Sequence, residues 1–179
     1  MIKLAKKFFK IHRSITGSGV RKSLKLLKTE IPSLKIKKVR SGTRVFDWIV
    51  PPEWNIKDAF VADEQGNKLI DFQKNNLHII NYSTKINKFV SKKELLNHLF
   101  FLKKRPNSIP YITSYYKKFW GFCLSYEEFK KKFNMNKFKV VIKSNFKKRG
   151  FLNYGELIIK GKTKKEILIY TYICHPSLA

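Results

Sequence analysis

The residue whose type and position most readily suggest chemistry is His175, in the string Cys174-His175-Pro176-Ser177. It follows Ile167-Leu168-Ile169-Tyr170-Thr171-Tyr172-Ile173, a nearly continuous apolar and β-branched run of the kind that forms a strand buried on both faces of a sheet. In an open α/β sheet, ligands and catalytic groups gather at the carboxyl ends of the central strands. A neutral imidazole fixed there is a good zinc ligand. A lone histidine at a strand end is more often a hydrogen-bonded structural residue, so position alone leaves both roles open. Cys174 is a second candidate, as ligand or nucleophile, but neighbours on a strand point to opposite faces, so only one of the pair can face a site.

The other histidines, His12, His78 and His98, form no metal-ligand spacing with one another. The chain has no paired carboxylates, no Gly-x-Ser-x-Gly and no Walker loop. Gly17-Ser18-Gly19 follows a helical pattern rather than a strand and lacks a Gly-Lys-Ser/Thr sequel, so it is a weak phosphate cradle. The aromatic cluster Tyr111, Tyr115, Tyr116, Phe119, Trp120 and Phe122 could stack on a sugar or a base, although a small β domain uses such residues as core.

These residues need elements to position them. Leu4, Phe8, Ile11 and Ile15 recur at helical spacing, and after the Thr16–Gly19 break Val20, Leu24, Leu27 and Ile31 resume it, which predicts two amphipathic helices. A short strand follows at Leu34 to Val39. From Ser41 to Lys137 the pattern is mainly that of strands: Ala59 to Phe72 holds a hairpin signature around Asp63-Glu64-Gln65-Gly66-Asn67, and Leu77 to Tyr82 is a further strand candidate. Ser91 with Glu94, ahead of Leu95, Leu96, Leu99 and Phe100, and Ser125 with Glu128, ahead of Phe129 and Phe133, are capping boxes that open helices. Phe138 to Lys143, Tyr154 to Lys160 and Glu166 to Ile173 then predict three strands.

The chain has 179 residues, 43% of them apolar and 15% aromatic, enough for a packed core and unlike a disordered tail. Its net charge of +27 first suggests a polyanion partner. Lys, however, supplies 33 of the 39 basic residues and is spread along the whole chain. With abundant Ile and Asn, that is what codon bias in an AT-rich genome produces, whereas specific recognition of bases favours the forked guanidinium of Arg. No specific nucleic-acid partner is expected. Two cysteines make no disulfide framework. The N-terminus lacks the h-region of a secretory signal, and no apolar run reaches the ~20 residues of a membrane span, so the expected location is cytoplasmic.

Several strings are long and rich in seldom coincident residue types. They include Arg13-Ser14-Ile15-Thr16-Gly17, Phe46-Asp47-Trp48, Pro52-Glu53-Trp54-Asn55-Ile56, Thr113-Ser114-Tyr115-Tyr116, Trp120-Gly121-Phe122-Cys123, Tyr154-Gly155-Glu156-Leu157 and the string from Thr171 through His175 to Ser177. Together they closely resemble a bacterial and archaeal family of aminopeptidase-like proteins. The resemblance implies an α/β catalytic domain like that of the two-zinc aminopeptidases, interrupted near its start by a β-rich domain of unknown role. Residues 1–40 would be its N-terminal helices, 41–137 the inserted β-rich domain with two short helices, and 138–179 strands of the catalytic domain. By the same resemblance His175 matches the first zinc-ligand histidine, and the remaining ligands and the general base lie downstream of it. The chain then reads as an N-terminal fragment, inactive alone, of a zinc-dependent hydrolase acting on a peptide-like or aminoacyl small substrate. Family members occur among genes for surface polysaccharide synthesis. An exposed sheet edge at Ile167 to Ile173 would favour self-association. A glycan- or protein-binding module and a basic nucleic-acid-binding protein are the alternatives.

Overall fold

The computed structural model describes residues 2–176 and divides the chain into two compact units. One is formed by the residues up to Glu53 and from Lys147 onward, the other by Trp54–Phe146. In chain order the elements are α1 (Ile2–Phe9), α2 (Ser18–Glu30), β1 (Lys35–Arg40), β2 (Arg44–Val45), β3 (Trp48–Ile49), β4 (Glu53–Ala62) and β5 (Lys68–Asp71). After a short 3-10 turn at Asn76–His78 come β6 (Ile86–Ser91), α3 (Lys92–Leu96), β7 (Leu99–Phe100), β8 (Phe122–Cys123), α4 (Tyr126–Lys132), β9 (Lys137–Lys147) and β10 (Phe151–Glu156). The chain is thus a mixed α/β structure.

In the terminal unit β1 and β10 form an antiparallel pair, Lys35 opposite Glu156 and Arg40 opposite Phe151. Val20, Leu24 and Leu34 are buried there. The firmest polar tie is at Glu53, only 3% exposed. Its two carboxylate oxygens accept from the two terminal nitrogens of Arg21 on α2, both at 2.8 Å, and Oε2 also accepts from the Phe151 amide at 3.3 Å. Gly150 lies against this carboxylate so closely that a Cβ there would stand 2.2 Å from the Glu53 Cβ. Only glycine fits.

The middle unit is built on a four-stranded sheet in the order β5-β4-β9-β6. Its apolar core includes Ala59 and Val61 of β4, Ile70 of β5, Val90 of β6, and Phe138, Val140 and Ile142 of β9, with Leu95, Leu124 and Phe133 packed in from the helices and loops. The β4–β5 hairpin turns as its sequence requires. Gly66 takes φ 89°, and the Asp63 carboxylate accepts from the Asn67 amide at 2.8 Å and from its side chain at 2.9 Å. At α4 the capping box is complete: Ser125 Oγ accepts from the Glu128 amide and the Glu128 carboxylate accepts from the Ser125 amide, each at 3.1 Å. At α3 the Ser91 cap is made, but Glu94 turns to Lys88 at 2.7 Å instead of returning to the cap.

Several expected elements differ. The first helix stops at Phe9, short of Ile11 and Ile15. The α3 helix ends at Leu96, because Leu99 and Phe100 leave it to pair in parallel with Phe122 and Cys123. Leu77 to Tyr82 is no strand: Tyr82 takes φ 70°, which ends an extended run, and Ile79 and Asn81 keep only isolated bridges. The middle unit begins at Trp54 rather than Ser41, since the stretch before it bonds back into the terminal unit, Ser41 to the Gly150 carbonyl at 3.0 Å. It ends at Phe146 rather than Lys137, because β9 lies between β4 and β6 in its sheet. Ile167 to Ile173 forms no strand among the described residues, and Ile167, Leu168 and Ile169 are 90%, 86% and 89% exposed. A ladder needs a second strand, and none lies beside it among the described residues, which show no sheet edge at this place.

Arg21→Met should destabilise the chain by about 3 kcal/mol in urea unfolding, because it strands a buried carboxylate. Adding Glu53→Gln to it should recover part of the loss, since a neutral amide is cheaper to leave underbonded. At α4, Ser125→Ala should cost about 1 kcal/mol at neutral pH. Burial pushes the Glu128 carboxyl up, but the Ser125 amide, Lys132 and His78 together hold it below its ordinary value. A depressed carboxyl stabilises the fold above its unfolded pKa of about 4.3 and loses that contribution as pH falls through the folded value. Glu128→Gln should therefore destabilise at pH 7 and by progressively less as pH falls below about 4.

Candidate functional site

His175 is placed by a residue at the opposite end of the sequence. Arg13, 1% exposed, follows the C-terminal end of α1. One terminal nitrogen donates to the Phe8 carbonyl and, at 3.5 Å, to that of Ile11, and the other donates to the His175 carbonyl at 2.7 Å. The last carbonyls of a helix lack intrahelical partners and carry the negative end of its dipole. A guanidinium is suited to them because its donors form a rigid fork. One buried cation thus closes the end of α1 and pins the main chain at His175. This accounts for the early stop of α1. The Arg13 guanidinium also lies 5.7 Å from the Phe8 ring centroid.

Around this tether the chemistry is restrained. Burial pushes the Cys174 thiol up, while a backbone hydrogen bond and Arg13 pull it down less strongly. Held as a thiol, Cys174 is a poor nucleophile, since the thiolate is the attacking form. Burial likewise lowers the Arg13 value, the neighbouring Cys174 acting the other way. The His175 ring lies 6.0 Å from that of Tyr172, and Pro176 behind it is buried. Ser177, the last residue of the string, lies outside the described residues. The sequence pointed to His175 but not to Arg13, which is 162 positions away. The available signal was scarcity, since a chain with six Arg among 39 basic residues uses the fork selectively.

No three of His, Cys, Asp and Glu converge among the described residues in a way that could hold a metal ion. A catalytic zinc takes three protein ligands and an open position, so the donors present here do not fit a zinc centre by themselves. His78 and His98 serve the fold. His78, buried, donates Nδ1–H to the Cys123 carbonyl at 2.8 Å and has Nε2 3.8 Å from Glu128. His98 donates to the Trp120 carbonyl at 2.7 Å and stacks on its ring at 3.6 Å. Cys123 is buried, and desolvation pushes its thiol up to about 12, which rules it out as a nucleophile at neutral pH. In the aromatic cluster Phe122 is fully buried, Tyr111, Tyr115, Phe119 and Trp120 are half-buried, with Tyr115 meeting the edge of Tyr82 at 4.9 Å, and Tyr116 is exposed.

With this geometry in hand, a family model described as a domain of unknown function (DUF2172) matches residues 53–145. The chain belongs to that family. A Clostridium acetobutylicum protein, provisionally named a polysaccharide biosynthesis protein with an aminopeptidase-like domain, is 47% identical over 175 residues, which make up 98% of this chain and 40% of that one. A crystal structure of a provisionally named peptidase from the same organism matches with a TM-score of 0.91 at 47% identity, covering 98% of this chain and 41% of that one. The chain therefore spans about two fifths of the length of the relatives it matches. No described helix is long and apolar enough to cross a membrane.

Replacing the tether tests its role. Arg13→Lys removes the fork but keeps the charge, and should cost about 2 kcal/mol, the scale of hydrogen bonds to a charged group. In urea unfolding the loss should be nearly as large as for Arg13→Met, and amide exchange around Cys174 and His175 should quicken in both variants. A fully stable Arg13→Lys chain would show that the fork is dispensable.

Proposed function

We propose that this chain is the front part of a zinc-dependent aminopeptidase-like hydrolase, with His175 as one ligand of its metal centre. The observation that carries the reading is the buried Arg13 fork, which fixes the main chain at His175. A ligand histidine benefits from such support, since metal sites depend on the groups that orient their ligands. The aminopeptidase-like part comes from the name of the relative that is 47% identical to nearly the whole chain, and so does the link to polysaccharide biosynthesis. The zinc role of His175 rests on the family resemblance of the Thr171 to Ser177 string. The two-zinc class needs a bridging carboxylate, further ligands and a base for the metal-bound water, and in this reading those groups come from chain beyond the described residues. The substrate class is a peptide-like or aminoacyl compound, and the compartment is the cytoplasm.

The test compares two proteins. The purified 179-residue chain with added zinc should hydrolyse aminoacyl-anilides no faster than zinc in buffer, and His175→Ala should change nothing. The Clostridium acetobutylicum relative, tested in parallel, should show hydrolysis that a chelator abolishes and zinc restores. Turnover by the 179-residue chain that disappears in His175→Ala would overturn the claim that the centre needs further chain. A relative without zinc-dependent hydrolysis would overturn the hydrolase reading itself.

A further inference from the structure

Residues 167–173 carry no charge, no proline and no glycine, and consist of β-branched residues, leucine and tyrosine. A segment of this length and kind pairs readily with an identical one when its backbone is free. Here it is free. Among the described residues the main chain of this run makes no hydrogen bond, and Ile167, Leu168, Ile169, Tyr170 and Tyr172 are 64–90% exposed. At roughly 150 Å² of surface for each such side chain, the run exceeds the largest apolar patch of an ordinary monomer, about 300–600 Å². It approaches the area of about 800 Å² that each partner gives to a stable interface.

Charge and side-chain order favour one way of pairing. Lys162, Lys164 and Lys165 precede the run, and neither lysine nor arginine follows it. In a parallel, in-register pair each of these lysines would stand roughly 5 Å from its own copy, and like charges so placed destabilise. An antiparallel pair sends them to opposite ends. Centred on Tyr170, such a pair overlaps the whole run: Ile167 meets Ile173, Leu168 meets Tyr172, Ile169 meets Thr171, and Tyr170 meets its own copy. Side chains alternate along a strand, so the β-branched residues share one face and Leu168, Tyr170 and Tyr172 the other. Cross-strand pairs of both kinds are stabilising. The Tyr170 and Tyr172 rings already lie 6.3 Å apart, edge to face.

We infer that residues 167–173 form a homotypic docking strand, which pairs antiparallel, centred on Tyr170, with the same residues of a second copy of this chain. The run offers a partner an open backbone ladder and two uncharged faces, and a second copy returns the same three features. The net charge of +27 opposes the encounter, because the two copies repel each other. Salt screens that repulsion. The pair therefore tightens as salt is added, whereas contacts of a basic chain with a polyanion weaken. This inference does not depend on the metal reading of His175, and its test measures association rather than hydrolysis.

The experiment follows the whole chain by sedimentation velocity over a concentration series, at low salt and at ~0.5 M sodium chloride, where charges a few ångströms apart are already screened. Monomer should pass into dimer, with association on the order of tenfold tighter at the higher salt. Amide exchange across residues 167–173 should slow as dimer forms. Ile169→Lys should abolish the dimer and leave urea unfolding of the dilute chain unchanged, since that side chain is 89% exposed. Phe46→Lys, the same change at a side chain 93% exposed outside the run, should leave the dimer constant within about twofold, the scale of an ordinary surface substitution. In a Cys174→Ser background, Tyr170→Cys should cross-link on oxidation. Ile167→Cys should not, because antiparallel pairing holds its copy about 20 Å away. A chain that stays monomeric at both salt concentrations would overturn the proposal and leave the run to a neighbour of different sequence. Equal losses in Ile169→Lys and Phe46→Lys would reduce the effect to net charge and overturn it too, and equal cross-linking by both cysteines would overturn the antiparallel register. Should Ile169→Lys fail to fold, the unaltered chain still decides: dimer formation that protects amides elsewhere but not those of residues 167–173 would sink the docking strand.

Discussion

The terminal unit depends on one buried carboxylate. Glu53 opens β4 at 3% exposure, and a carboxylate so placed is tolerable only when its oxygens are saturated. Saturation comes from α2 through the two nitrogens of Arg21 and from β10 through the Phe151 amide, so α2, Glu53 and β10 must hold one mutual geometry within the terminal unit. The glycine at 150, where a side chain would collide with Glu53, follows from the same requirement. The β1–β10 pairing then has its register set at one end by this contact, since Phe151 is the residue opposite Arg40.

The second constraint has the same physics with the signs reversed. At Arg13 a buried cation is held by main-chain carbonyls, Phe8 in the last turn of α1, Ile11 just beyond it, and His175. In both cases a planar fork satisfies several groups in fixed directions, which an ammonium on a flexible stem cannot do. That explains how a chain so dominated by Lys places its few Arg. Lys covers the solvated surface, where ion pairs such as Lys88–Glu94 and Lys130–Glu127 are exposed and worth little, while Arg13 and Arg21 sit where desolvation makes geometry decisive.

Local features were legible in the sequence because their causes are local. The capping box at Ser125 and Glu128, the turn at Asp63 to Asn67 and the helix at Ser18 each follow from residues within a few positions of one another. What the sequence misplaced depends on distant partners. The Ile167 to Ile173 run has the composition of a buried strand, but a strand exists only with a neighbour, and this run has none among the described residues. Tyr82 looks like a strand residue, yet its ring is packed against Trp54, Tyr115 and Phe146, and that packing goes with a positive φ that no propensity scale anticipates. His175 was legible as a chemical group, whereas its tether was not, because the contact joins residues 162 positions apart.

The distribution of charge shows why composition alone misjudged the lysines. Their number has a bland cause, and most of them do what that cause implies, covering strands and helices at the surface. In the middle unit, however, pairing is uneven: seven carboxylates are drawn to Lys68, Lys88, Lys130, Lys132 and Lys137 or to amides, and none to Lys57, Lys85 or Lys143. An excess of one sign must leave some cations unpaired, but it does not dictate which ones. That Lys57, Lys85 and Lys143 share one surface of the sheet is a property of the β4-β9-β6 arrangement and its register, not of the codon usage. Composition supplies the charge, and the sheet decides where that charge can act together.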